Sequence, residues 1–407
     1  MKSKLFLIIL LTGIFSGPAH AQLVNNGQTI AVSKGAKVFI GGDYKHKAGE
    51  ILNNGTITIK GNWANNDFQS VVFRITSSGI VDLAGNKQVI GGSNKTVFPD
   101  LFLSGNNEKS LAINTEVAGK LHLRGDIFNL SDYELFLKNN NDKAITRTTG
   151  FITTGKKGRL TRSIENSGSY LFPLGVSSNV SIYRPLIVDT RAASTSNTFS
   201  VSLFAEDPSI EGFDINSKRK DVAEVFTDYY YVLSHEGQDA ETEVKFYQNS
   251  ETEGNYTQLI NWNTAFALWE KAAPSTVDDG FLMDGLNRSV LFKTGGNLRN
   301  VPVTFAEAPA DENKLLPNPF TFYNAFSPDG DGKNDTWVIN NIDLYPENNL
   351  TIFNRWGDEV FKTSNYNSSK FWDGGSLNSG TYYYILNIVV NGQMRTFKGF
   401  ITMIKKD

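Results

Sequence analysis

The feature that most constrains the fold is a turn that recurs in the first third of the chain. Asn25-Asn26-Gly27, Asn53-Asn54-Gly55 and Ser77-Ser78-Gly79 each precede a short alternating run, and their glycines lie 28 and 24 residues apart. Because period-two alternation places every second side chain on one face, these runs are predicted to be half-buried strands. A period in the twenties is typical of stacked strand-and-turn coils. Residues 22–150 are therefore predicted to form a β-solenoid-like repeat region, with an irregular β-sandwich as the alternative.

The composition favours an all-β chain throughout. It holds 41 Asn and 36 Gly, which suit tight turns, together with 28 Phe, 15 Tyr and 6 Trp, which suit pleated, half-buried strands. Cysteine is absent and histidine occurs four times. The absence of cysteine excludes disulfides, thiolate metal sites and cysteine nucleophiles.

The middle region, residues 151–306, remains rich in alternating runs but loses the repeat, which predicts an antiparallel β-sandwich. One segment departs from alternation, because Trp262, Phe266 and Trp269 stand at i, i+4 and i+7, the spacing of one helix face. If exposed, Trp262 and Trp269 could stack on sugar rings, so they are candidate carbohydrate-binding residues. The alternative is that both side chains are core packing.

The first 21 residues are predicted to be a secretory signal peptide. Lys2 and Lys4 precede an apolar run from Leu5 to Phe15, and Ala19-His20-Ala21 predicts cleavage before Gln22. That run is too short to cross roughly 30 Å of hydrocarbon as a helix. No later run approaches the required length, so no transmembrane segment is expected in the mature chain.

A linker is predicted at residues 307–319, where Pro309, Pro317 and Pro319 disfavour regular structure. The segment after it, residues 320–407, carries a series of separated motifs. They are Asn324-Ala325-Phe326-Ser327-Pro328-Asp329-Gly330-Asp331-Gly332-Lys333-Asn334-Asp335, Leu350-Thr351-Ile352-Phe353-Asn354-Arg355-Trp356-Gly357, Trp372-Asp373-Gly374, Gly380-Thr381-Tyr382-Tyr383-Tyr384 and Lys398-Gly399-Phe400-Ile401-Thr402. Period-two strands are predicted at 350–354, 381–390 and 399–404. Trp337, Trp356, Trp372 and the three tyrosines are expected to pack the core of this small domain, which has no disulfide.

These motifs, in this order, resemble the gliding-motility-associated C-terminal domain, also called the type B sorting domain of type IX secretion. The resemblance covers about a fifth of the chain. It implies an immunoglobulin-like β-sandwich at 320–407 and handling by the type IX secretion machinery. It also implies passage through the periplasm to the outer cell surface or the medium.

The loop from Asp329 to Asp335 is a candidate calcium site. Asp329, Asp331, Asn334 and Asp335 offer oxygen ligands on a glycine-containing turn, which hard cations prefer. A full EF-hand is missing, because Val338 stands where its bidentate acid belongs. The alternative is a structural turn in which these side chains accept hydrogen bonds from local backbone N–H groups. No other cofactor is expected.

No catalytic residue is predicted. The sequence lacks the nucleophile elbow, the zinc-protease helix, the phosphate-binding loop and the glycine-rich dinucleotide turn. His235 and the dispersed acids Asp82, Asp100 and Asp126 are grouped by nothing in the sequence. Residues 23–150 carry a net charge of only +3 and the later regions are acidic, so a nucleic-acid partner is not expected.

We therefore expect a secreted surface protein in which residues 22–306, called the passenger below, act by binding without catalysis. Adhesion, contact with polysaccharide or surface matrix, and a purely structural role all fit. The alternative is a carbohydrate-active enzyme or a carbohydrate-binding accessory protein that carries the same sorting domain.

Overall fold

The computed structural model describes residues 22–405, apart from 69–70, 106, 178–180, 192–195, 238–241, 273–275, 295–297, 310–319 and 391–392. The predicted signal peptide and most of the predicted linker thus lie outside the described residues. The all-β prediction is confirmed. Within the described part, no helix has the length and apolar character needed to span a bilayer. The chain divides into two compact units, one comprising residues 1–139 and 144–151 and the other residues 140–143 and 152–407.

The first unit is a β-solenoid of about seven coils, as the recurring turns predicted. Its strands are β1 (Leu23–Val32), β2 (Lys37–Ile40), β3 (Tyr44–Asn53), β4 (Thr56–Ile59), β5 (Trp63–Asn65), β6 (Ile80–Leu83), β7 (Gln88–Gly92), β8 (Val97–Phe98), β9 (Asp100–Leu103), β10 (Glu108–Leu111), β11 (Thr115–Val117), β12 (Leu121–His122), β13 (Ile127–Asn129), β14 (Glu134–Leu137) and β15 (Ile145–Thr146). They form parallel sheets in the orders β1-β3-β5-β7-β10-β13, β2-β4-β6-β9-β12-β15 and β8-β11-β14.

Parallel stacking places equivalent residues of successive coils in register, so that the core is a set of apolar ladders. One ladder consists of directly paired, buried side chains: Ile57, Val81, Leu101, Leu121 and Ile145. Each rung adds about 4.8 Å along the solenoid. This stacking explains why alternation in each short run was sufficient to predict half-buried strands.

Two of the three predicted turns, at Gly55 and Gly79, are fixed by close approach between coils. The third prediction is wrong, because Asn25-Asn26-Gly27 lies within β1, at an irregularity in its pairing with β3. A side-chain carbon on Gly55 would lie 2.3 Å from the carbonyl oxygen of Ala36, and one on Gly79 would lie 2.4 Å from that of Gly55. The buried Asn53 amide donates to the carbonyl of Ile80 at 3.0 Å and its oxygen accepts from the N–H of Gly55 at 3.1 Å. The asparagine therefore satisfies backbone groups between coils that would otherwise be buried without partners.

The second unit begins near β16 (Phe151–Thr153), at the boundary, and continues with antiparallel strands. They are β17 (Arg159–Ser163), β18 (Gly168–Phe172), β19 (Gly175–Ser177), β20 (Ser181–Tyr183), β21 (Leu186–Thr190), β22 (Thr198–Phe204), β23 (Tyr230–Glu236), β24 (Thr242–Gln248), β25 (Gln258–Asn263), β26 (Leu268–Lys271), β27 (Thr276–Met283), β28 (Leu286–Thr294) and β29 (Leu298–Ala306). One sheet runs β26-β25-β29-β23-β22-β17 and another runs β18-β21-β24-β28-β27. The described residues include one short α-helix, α1 (Ser250–Glu253).

The last part of this unit is a five-stranded sheet of order β30-β34-β33-β31-β32. Its strands are β30 (Ala325–Phe326), β31 (Asn348–Phe353), β32 (Glu359–Ser364), β33 (Gly380–Val390) and β34 (Gln393–Met403). Irregular segments cover the core face of this sheet. Single pairs of β-bridged residues join them, Phe322 with Ile339 and Trp337 with Trp372. Phe371 packs on Phe266 of the central region, with ring centroids 5.7 Å apart.

The expectation that all three tryptophans of 320–407 pack the core is correct for two of them. Trp337 and Trp372 are buried, whereas Trp356 is 73% exposed. The tyrosine run divides similarly, because strand alternation buries Tyr382 and Tyr384 and leaves Tyr383 half exposed. Trp356 lies in the tight turn between β31 and β32, so it is not on a strand that packs against the core.

Candidate functional site

A groove with a volume of about 950 Å³ runs along the first unit. We call it the solenoid groove. Pro99, Ala118 and Lys138 line it from equivalent positions of successive coils, each directly after a strand of the β8-β11-β14 sheet. The opposite side of the groove includes Thr29 on β1 and Glu50 on β3, which lie next to each other in the strand pairing. Because its lining repeats from coil to coil, the groove suits an extended ligand.

The wall of the groove is residues 71–77, a segment outside the regular coil. It is fastened to β3, because the N–H of Ile51 donates to the carbonyl of Val72 at 2.7 Å and the N–H of Arg74 donates to that of Ile51 at 2.9 Å. Val72 and Phe73 point into the core, while Val71 is 66% exposed and Ile75 is fully exposed. The backbone pairing therefore holds two apolar side chains open to solvent.

The carboxylates near the groove are held by cations. Glu50 accepts a hydrogen bond from Nε of Arg74 at 2.6 Å and another from the Thr29 hydroxyl at 3.1 Å. The hydrogen bonds from Arg74 hold the pKa of Glu50 below its ordinary value. Burial acts to raise the pKa of Glu116, but hydrogen bonds from Lys95 and Lys138 outweigh it and leave that pKa lowered. Both acids are thus stably ionised, which suits ion pairing rather than proton transfer.

A second surface lies on the outer side of the β2-β4-β6-β9-β12-β15 sheet. We call it the outer strip, a ladder of directly paired residues: Phe39, Thr58, Asp82, Phe102, His122 and Thr146. Phe39 is 67% exposed. The rings of Phe102 and His122 are in tilted contact, with centroids 3.8 Å apart. The strip thus has Phe39 at one end, hydroxyl and carboxylate groups at Thr58 and Asp82, and the Phe102–His122 pair beyond them, followed by Thr146.

The described histidines are held in structural contacts. His46 is fully buried, and its Nδ1 lies 3.0 Å from the hydroxyl of Tyr44. His235 is also buried, with Nε2 2.7 Å from the side-chain oxygen of Asn197. Burial lowers the pKa of His46, against the raising effect of Asp67. Both imidazoles thus contact the side chains of buried residues.

The helix predicted from Trp262, Phe266 and Trp269 is wrong. Trp262 on β25 and Trp269 on β26 face each other across an antiparallel hairpin, with ring centroids 5.4 Å apart. Trp269 is fully buried and Trp262 is 8% exposed. These tryptophans therefore do not present the open ring faces that a sugar platform requires. The hairpin was missed because its turn places Ala267, rather than glycine or asparagine, at positive φ.

The candidate calcium residues are brought together in part. Asp329, Asp331 and Asp335 each place a carboxylate oxygen within 4.8 Å of the others. Asp335 accepts hydrogen bonds from the N–H groups of Gly330 at 2.7 Å and Gly332 at 2.8 Å, and Asp331 accepts one from Lys333 at 2.8 Å. The backbone carbonyl of Asn334 accepts from Ser327. The carboxylates thus stabilise the turn itself, and calcium binding stays a prediction.

Comparison with known proteins bears on the end of the chain. Residues 320–403 match the family described as the CHU_C Type IX secretion signal domain. This confirms the family predicted from the motifs and places it on the five-stranded sheet. A search of the curated proteins found no match to this chain.

Proposed function

We propose that this protein is exported by type IX secretion and acts at the outer cell surface or in the medium as a non-catalytic binding protein. The family match at residues 320–403 supports the export. The signal peptide predicted at residues 1–21 would supply the first step, entry into the periplasm. The sorting domain would then direct passage through the outer membrane.

The solenoid groove is the observation that supports a binding role for the passenger. It is lined from successive coils, its wall is fixed by backbone hydrogen bonds, and exposed Val71 and Ile75 offer apolar contact. The one carboxylate in its lining, Glu50, is paired with Arg74. Glycoside hydrolysis needs two carboxyl groups in different protonation states flanking one bond. The groove therefore suits the binding of an extended ligand better than its hydrolysis.

Carbohydrate binding is the second candidate, and the outer strip is the observation that favours it. Sugar rings stack on exposed aromatic faces and their hydroxyls pair with carboxylates and imidazoles. Phe39 and Phe102 stand three rungs apart, or about 14 Å at 4.8 Å per rung. Phe39 is exposed, whereas Phe102 is partly buried and contacts His122 and the Arg124 guanidinium, so Phe39 is the ring that a polysaccharide along the solenoid would stack on.

Export is tested by deleting residues 320–407 in the native host. We expect the truncated chain to accumulate in the periplasm, while the full chain reaches the surface or the medium. The measurement is the distribution of the chain between periplasm, protease-accessible surface and medium. If the truncated chain still leaves the cell, the proposed export role is wrong.

Binding is tested with the mature chain on a glycan array and on isolated surface polysaccharides. Ile75→Asp probes the solenoid groove and Phe39→Ser probes the outer strip; both side chains are largely exposed, so folding is retained in each. We expect one of the two variants to lose binding by at least tenfold, which identifies the surface used. Release of reducing ends from a bound polysaccharide would contradict the non-catalytic role.

A further inference from the structure

Three aromatic side chains form one row across the sheet of the sorting domain. Phe353 on β31 lies directly opposite Tyr383 on β33, and Tyr383 lies directly opposite Phe400 on β34. Tyr383 is 50% exposed and Phe400 is 49% exposed. Because Tyr382 and Tyr384 point into the core, this row lies on the opposite face of the sheet. We call it the aromatic row.

The turn between β31 and β32 borders the aromatic row through Arg355, whose guanidinium lies 4.1 Å from the ring centroid of Trp356. The Trp356 ring itself lines a separate hollow with Leu377 and Tyr382, so it is not part of the aromatic row. A hollow of about 680 Å³ lies beside the turn, lined by Phe353, Arg355, Tyr383 and Phe400 among others. At roughly 200 Å² per aromatic side chain, the exposed halves of Tyr383 and Phe400 leave on the order of 200 Å² of aromatic surface in water. Tyrosine, phenylalanine and arginine side chains are enriched at protein interfaces, and this hollow combines all three.

Cations border the aromatic row. A neighbouring row in register across four strands reads Lys362, Thr351, Ile385 and Lys398, so that a lysine stands at each end. Glu359 lies opposite Phe353 in the strand pairing and pairs with Lys362 at 3.2 Å, so these two charges offset each other. The cations that line the hollow are Arg355 and Lys398. The surface therefore complements an apolar partner bordered by carboxylates.

The central region does not account for this exposure. Its contacts with the last 88 residues use other positions: Phe266 on Phe371, the Lys218 carbonyl with Asn341, and Lys220 over Tyr345. The aromatic row remains open while these contacts are made.

We infer that the aromatic row, together with Arg355 and Lys398, is the surface by which a protein of the secretion machinery recognises the sorting domain, through an apolar patch bordered by carboxylates. This rests on the proposed export function and names the surface that serves it. Aromatic side chains bury large areas at low entropic cost and dominate the energy of interfaces.

The test uses the full chain in its native host. Tyr383→Thr combined with Phe400→Thr removes two rings while keeping residues that favour strands. Met394→Thr is the matched control, because Met394 is 64% exposed on β34, at the other end of the strand from Phe400. We expect the double variant to fall at least fivefold in the exported fraction, with its periplasmic pool raised, and the control to export normally. Thermal unfolding of each purified variant checks the fold.

A second pair of variants covers the case in which the double variant unfolds. Arg355→Glu combined with Lys398→Glu reverses the charge beside the aromatic row and keeps every aromatic ring. Lys370→Glu, outside the sheet, is the control for a change of charge. We expect the reversed border to reduce export several-fold and the control to leave it unchanged. If the folded variants export like the parent while the 320–407 deletion does not, the assignment of this surface is overturned and the export function stands. If the deletion exports too, the export function itself fails.

Discussion

The ammonium nitrogen of Lys109 lies 2.6 Å from a carboxylate oxygen of Asp126, and neither side chain is exposed to solvent. Lys109 also donates to the carbonyl of Gly85 at 3.0 Å, and Asp126 accepts from the N–H of Asn107 at 3.0 Å. This buried pair connects neighbouring coils inside the solenoid. It also gives a structural role to Asp126, one of the acids that a hydrolase hypothesis would have required.

Removing one partner of this pair should destabilise the mature chain strongly. Lys109→Met leaves a buried, uncompensated carboxylate, so we expect a loss of about 3–5 kcal/mol in the free energy of unfolding. Urea denaturation followed by tryptophan fluorescence measures it. The double variant Lys109→Met/Asp126→Leu should recover most of the loss, and Lys95→Met, at a partly exposed pair, should cost less than about 1 kcal/mol. Equal losses at the buried and partly exposed pairs would contradict this account.

The turn glycines that face another coil, Gly55 and Gly79, should not tolerate a methyl group. In Gly79→Ala the added carbon would lie 2.4 Å from the carbonyl oxygen of Gly55, so adjacent coils must separate. We expect a lowered melting temperature and faster proteolysis of the solenoid. Gly41→Ala is the control, since its nearest neighbour is a ring carbon of Phe39 at 3.6 Å. A Gly79→Ala chain as stable as the control would show that the coils adjust freely.

The two hairpin tryptophans should matter for stability rather than for ligand binding. Trp269 is fully buried and donates to the carbonyl of Phe213 at 3.2 Å, so Trp269→Ala is expected to cost about 3–5 kcal/mol. Trp356→Ala, at a 73% exposed side chain, should change the free energy of unfolding by less than about 1 kcal/mol. Calorimetry of both variants tests the contrast. A stable Trp269→Ala chain that loses glycan binding would restore the sugar-platform hypothesis.

The acidic loop should depend on Asp335 even without metal. Its carboxylate accepts two backbone hydrogen bonds, from Gly330 and Gly332, so Asp335→Ala is expected to lower stability by about 1–2 kcal/mol. Thermal unfolding in chelator and in millimolar calcium makes the comparison. The same loss in both conditions indicates a structural turn. A parent chain that melts higher in calcium, with no such rise in Asp335→Ala, would support the calcium prediction.

His46 should make the solenoid less stable in mild acid. Burial lowers its pKa in the folded chain below the ordinary value of about 6.5, so the unfolded chain binds more protons as the pH falls through that value. Stability is therefore fully present above about pH 6.5 and is lost as the pH falls towards the folded pKa. Denaturation midpoints between pH 8 and 5 measure the effect. His46→Gln should flatten the profile in this range, and an unchanged slope would show that another group is responsible.

Several features followed from the sequence because they depend on local periodicity. Short alternating runs separated by turns suffice to predict strands, and a recurring turn suffices to predict stacked coils. The sorting domain was recognisable because its motifs are long, separated and ordered. Trp262 and Trp269 show the limit, since a separation of seven residues fits both one helix face and two facing strands of a hairpin.

The sequence by itself determined an all-β chain, a coiled amino-terminal region and the family of the last domain. Only the tertiary structure decided which members of a pattern are buried. Gly55 and Gly79 are needed because another coil passes close to them, and Lys109 meets Asp126 only when coils stack. Likewise, Phe353, Tyr383 and Phe400 form one row only because three strands pair in a particular register. Contacts between strands distant in sequence leave no period in the chain, so the surfaces available for binding become visible only in the folded protein.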